Sequence, residues 1–245
     1  MALPKLKIAT YELTVPSTGQ KVDYRPFLVK EEKALLMAAE DGSPKTIINA
    51  MKNIITACTQ GDIDLKTLAS FDIEYIFLQL RGKSVGDVVE INLKKPEKIT
   101  CEDELCPDAA QISVDIRDIE MDISKIEKPE IELTKDIGIK LNFPPIDTMA
   151  KYINPVGGTL KADDIFTMII ECIEYIWDGD EIYKAKDSTK KELNDFIESL
   201  SSDQFDKIRK YFESMPRLTH EITWECLKCK KTSPLILEGL DSFFG

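Results

Sequence analysis

Two pairs of cysteines, more than a hundred residues apart, constrain this chain more than any other feature. Cys226-Leu227-Lys228-Cys229 sits between two runs of strand-like alternation, Leu218 to Trp224 and Ser233 to Leu237. Cys101 and Cys106 stand between two more, Val89-Ile91-Leu93 and Ile112-Val114-Ile116. Thiolates two residues apart grip one metal ion from a tight turn, and four such ligands complete the tetrahedron that zinc prefers. If Cys101, Cys106, Cys226 and Cys229 share one zinc, two distant hairpins must meet and the fold must close around them. Two alternatives stand beside this. The C-terminal pair could recruit His220, a poorer ligand on the same strand, or all four could be free thiols in a reducing compartment. A redox role fits less well, because a redox Cys-x-x-Cys opens a helix after a strand and a hairpin is expected here. Cys58 and Cys172 fall in apolar helical stretches and read as buried hydrophobes.

The rest of the pattern is α+β, with helical halves joined to β-hairpins. Residues 10 to 25 alternate around the turn Pro16-Ser17-Thr18-Gly19 and predict a hairpin. A helix follows from Lys30 to the Asp41-Gly42 stop. Another starts at Ser43-Pro44, and a third spans Ser70 to Leu80 before Gly82 and Gly86. Short strands are expected over 117–148, then an apolar helix from Asp164 to Trp177. Thr189 with Glu192 and Ser201 with Gln204 have capping-box spacing and open two more helices. The Phe205, Ile208, Tyr211 and Phe212 stripe is the buried face of the second. The domain reading is therefore residues 1–116, a short-strand connection over 117–148, and residues 149–245. An internal duplication is suggested by Ile54-Ile55-Thr56-Ala57-Cys58 and Ile169-Ile170-Glu171-Cys172, each followed by an acidic Gly-Asp turn and later by a cysteine hairpin.

Several functions are excluded. The 245-residue chain carries 32 basic and 44 acidic side chains, a net charge of −12, opposite to a nucleic-acid footprint. No apolar run is long enough to cross a bilayer, so no membrane partner is expected. Gly82-Lys83-Ser84 ends like a phosphate-binding loop, but Phe77 stands where that loop needs glycine and a helix precedes it. His220, the one histidine, has no GxSxG partner. Asp178-Gly179-Asp180-Glu181 lacks calcium-loop spacing and reads as a helix-ending turn. No catalytic residues are identified, and a non-enzyme is expected.

Three segments carry a resemblance to a known family. They are LPKL…YELTVPSTGQKVDYRPFLVKEEKALLMA, FLQLRGKSVGDVVEINL and ITWECLKCKKTSPLILEGLDSFF. In this order they resemble the T4-like bacteriophage baseplate hub family, although the Cys101–Cys106 spacing is wider than that family's central knuckle. The resemblance implies a structural or assembly component of the central hub of a contractile tail. The alternative it implies is a transient hub-assembly chaperone absent from the mature virion. Its partners would be other hub, spike or tape-measure proteins, in the virion and, during assembly, in the host cytoplasm. Phe27 is expected to close the protein's own core, and Phe243-Phe244 are candidate docking anchors.

Overall fold

The computed structural model describes residues 7–96, 101, 106–107, 109–152 and 162–239. The terminal Phe243-Phe244 pair lies outside them. The first hairpin pairs β1 (Tyr11–Thr14) with β2 (Lys21–Tyr24), in register from Tyr11↔Tyr24 to Thr14↔Lys21. Gly19, at φ +68°, supplies the left-handed residue that closes the turn. The turn is pinned to a distant helix. Ser17 donates from its amide (2.9 Å) and hydroxyl (2.6 Å) to the buried Asp72 carboxylate, which also accepts the Ala69 amide at 3.0 Å.

Three helices follow: α1 (Val29–Asp41), α2 (Pro44–Cys58) and α3 (Ser70–Val85). Glu31 satisfies the first turn of α1 by accepting the Leu28 amide, and it pairs with Arg25 at 2.9 Å. The third helix is longer than the sequence suggests. Gly82 does not stop it but lies inside it, buried, where an added Cβ would come 2.5 Å from Ile116. That glycine is a packing residue, and the helix ends at Gly86 (φ +126°).

The β3 (Val88–Lys94) and β4 (Ala109–Asp115) strands form the next hairpin. Residues 117–148 supply β5 (Glu120–Met121), β6 (Glu130–Glu132), β7 (Ile137–Leu141) and the start of α4 (Ile146–Tyr152). α5 spans Ala162–Cys172. The apolar stretch expected to stay helical to Trp177 instead switches at Ile173 into strand β8 (Ile173–Asp178), and Gly179-Asp180 turns it into β9 (Glu181–Lys184). The reason is its content: Ile173, Tyr175, Ile176 and Trp177 are strand formers, and Gly at the first turn position suits a two-residue hairpin. The Asp178–Glu181 turn is thus a hairpin turn rather than a helix end. β6, β7, β8 and β9 make one antiparallel sheet in that order. α6 (Lys190–Glu198) and α7 (Ser202–Glu213) open with the Thr189/Glu192 and Ser201/Gln204 capping boxes, as the spacing predicts. A last hairpin, β10 (Leu218–Glu225) with β11 (Thr232–Glu238), carries β5 on its other edge.

Two cores result. One gathers Leu13, Val22, Phe27, α2, α3 and the β3–β4 hairpin, and it also takes in Leu218 and Leu237 from the last hairpin. The other packs β7 and β8 against α5, α6 and α7. An aromatic chain joins them: Phe71 of α3 meets Phe143 edge-on at 5.2 Å, and Phe143 stacks on Tyr211 of α7 at 4.8 Å. Both halves place a helix before the cysteine hairpin, α3 before β3–β4 and α7 before β10–β11, and the second half has a further hairpin between its helices. α2 leads through α3 to β3–β4, whereas α5 runs directly into β8–β9 before α6 and α7.

On the face of this sheet turned away from the second core, Gly138 of β7 lies opposite Trp177 of β8, and a Cβ there would meet the indole at 1.9 Å. Gly138→Ala is expected to cost about 1–3 kcal/mol through forced repacking. Urea denaturation monitored by Trp fluorescence measures it, and an unchanged midpoint would contradict the close approach.

Candidate metal centre

The centre forms where two hairpin tips face each other. In the C-terminal tip the chain turns tightly after Glu225. The Cys226 amide donates to the Lys231 carbonyl (2.9 Å), the Lys230 amide donates to the Cys226 carbonyl (3.0 Å), and Lys230 adopts φ +60°. The turn brings Cys226 and Cys229 to one side. Cys101 and Cys106 come from the connection between β3 and β4. Beneath the cysteines, Trp224 is fully buried against Ala110, Leu93 and Ile112, and its Nε1 donates to the Leu93 carbonyl at 3.4 Å. One ring thus packs the two hairpins together two residues before the first ligand of the knuckle.

The four sulfurs form a compact cluster. All lie within 4.8 Å of one another, with Cys101 Sγ at 3.9 Å from Cys226 Sγ and 3.6 Å from Cys229 Sγ. A tetrahedron of sulfurs around zinc, at a bond length of about 2.3 Å, has edges of about 3.8 Å. The spacing therefore fits a tetrathiolate metal site, and all six cysteines are free thiols. The local electrostatics also suit a cation. The Cys229 amide, aided by that of Lys228, points at Cys226 and holds its thiol down to about 6, while burial pushes Cys106 up to about 12. Four sulfurs this close cannot all be anionic without a compensating positive charge. A divalent cation bound by the four would supply it.

The four residues singled out from the sequence are the ones the structure brings together. His220 is elsewhere: its Nδ1 lies 3.1 Å from the Asp118 carbonyl, and it is not among the clustered ligands. Cys58 and Cys172 are buried in the two cores, and burial raises their thiols to about 11 and about 12. Trp224 was not singled out from the sequence; its signal is a large aromatic two residues before Cys226, on a strand that must cover the other hairpin. Ser84, the last residue of the Gly-Lys-Ser segment, lies in α3 and accepts the Phe27 amide at 2.9 Å, so the segment forms no phosphate loop. No helix among the described residues is long and apolar enough to cross a membrane.

A family model described as T4 bacteriophage base plate protein matches residues 8–245. No curated protein and no solved structure matches the chain.

Proposed function

The chain belongs to the T4 bacteriophage base plate protein family, and on that premise we propose that it is a structural or assembly component of the central hub of a contractile tail. It acts by protein–protein contact with other hub, spike or tape-measure proteins, without catalysis, and it meets them in the host cytoplasm as the tail is built. The observation that carries this reading is the extent of the match. It runs through both cores and both cysteine hairpins, so the whole architecture, and not one borrowed module, is a baseplate architecture.

The four cysteines serve this role as a zinc staple. Zinc held by Cys101, Cys106, Cys226 and Cys229 has all four positions filled by protein, leaving none for a reactive water. Such a site stiffens a surface where little apolar core is available. Quantitative mass spectrometry of purified virions tests the hub role. A fixed copy number per tail is expected. Absence from virions together with presence in tail-assembly intermediates would replace the hub role by that of a transient assembly chaperone.

A further inference from the structure

The α1 helix is apolar on two opposite sides, and the protein covers only one. At about 3.6 residues per turn, Glu31, Leu35 and Ala38 point inward. Val29, Lys33, Leu36, Met37 and Glu40 fall on the opposite face. Val29 is 79% exposed, and Leu36 and Met37 are each 60% exposed. A helix with apolar side chains on both faces is one that packs on both. Lys33 and Glu40 flank the exposed pair, and neither makes an ion pair among the described residues.

The order of these residues says what covers them. Lys33, Leu36, Met37 and Glu40 are symmetric about the midpoint between Leu36 and Met37, with charges of opposite sign at equivalent places. We propose that this face docks a second copy of the chain, its α1 antiparallel to the first across a two-fold axis. Lys33 then faces Glu40 of the partner subunit, Leu36 faces the partner's Met37, and both contacts repeat by symmetry, as an isologous interface requires. Antiparallel packing also sets the two helix dipoles in opposition. It relieves an unfavourable local feature as well: α1 ends in Glu40 and Asp41 with no basic residue in its last turn, where negative charge opposes the dipole. The partner's Lys33 brings positive charge to that end. One helix pair is a small contact, at the low end of interface sizes, so the association is weak in dilute solution and grows with concentration. This inference goes beyond the baseplate reading and stands without it.

Sedimentation velocity over a concentration series tests it, using charge reversals at exposed positions. Wild type is expected to show a monomer–dimer equilibrium. Lys33→Glu alone and Glu40→Lys alone each set like charges across the axis and are expected to weaken dimerisation at least tenfold. The double variant restores opposite charges and should associate as wild type does. Mixing the two single variants should yield a heterodimer that neither forms alone. Circular dichroism checks that each variant is folded. A wild type that stays monomeric at every concentration would overturn the proposal and leave the face to another protein. Reversals with no effect on a dimer would overturn it equally, by placing the interface elsewhere.

Discussion

Cys229→Ser is expected to lower the melting temperature by on the order of 10 °C, and a strong chelator should do the same to the wild type. The magnitude follows from what the site ties together. Cys101 and Cys226 are 125 residues apart. Cross-linking a loop of roughly 100 residues removes unfolded-state entropy worth about 4–5 kcal/mol in the chain-entropy model. For a chain of this size, 1 kcal/mol shifts the midpoint by roughly 2–4 °C. The site also supports the Trp224 contact with Leu93, which loses its anchorage when the tips separate. Elemental analysis of the purified protein should find one zinc per chain in the wild type, and less than that in the variant. Metal-free wild type, with a variant of equal stability, would reduce the four cysteines to packing residues and leave the hairpins held by Trp224 alone.

The second large effect is expected at Tyr211. Its side chain is 1% exposed, its hydroxyl donates to the Leu141 carbonyl at 3.2 Å, and its ring stacks on Phe143 and meets Phe212 edge-on at 5.3 Å. Burial pushes the phenol well above its ordinary range, so it stays a neutral donor. Tyr211→Ala should cost about 3–5 kcal/mol through the cavity it leaves. Tyr211→Phe keeps the ring and should cost only about 1 kcal/mol for the lost hydrogen bond. The pair separates packing from polarity. Because Phe143 connects Tyr211 to Phe71, a double-mutant cycle between positions 143 and 211 should return a coupling of about 0.5–1.5 kcal/mol. A coupling near zero would mean that the Phe143–Tyr211 stack adds nothing beyond the area each ring buries.

How far these features can be read from the residues depends on the kind of signal. Caps and turns are local chemistry, and they are legible: Thr189 with Glu192, Ser201 with Gln204 and Gly42 after α1 all stand where the spacing puts them. The cysteine pairs are legible because metal chemistry restricts both residue type and spacing. The stretch after Cys172 is not, because a continuous apolar run suits a buried helix or a buried strand. What decides it is β7, paired from a distant part of the chain. Gly82 misleads for the same reason, since its need for a small side chain comes from Ile116 across the fold. Asp72 is one of 44 acidic residues, and only the hairpin turn that docks on it gives it a role.

The placement of Leu218 and Leu237 in the first core has a consequence for the order of events during synthesis. Among the described residues, the side chains that fill the second core lie between residues 131 and 212, so it can condense from one stretch of chain as it emerges. The first core is made earlier yet finished later. Its helices await two leucines, and its cysteine loop awaits two thiolates, that are translated more than a hundred residues afterwards. Closing such a long loop is slow, but a folded second core shortens the effective distance between its ends. A product cut short before the last hairpin keeps an open apolar surface and half a ligand set. The fold thereby makes completion of the first core conditional on synthesis of the β10–β11 hairpin.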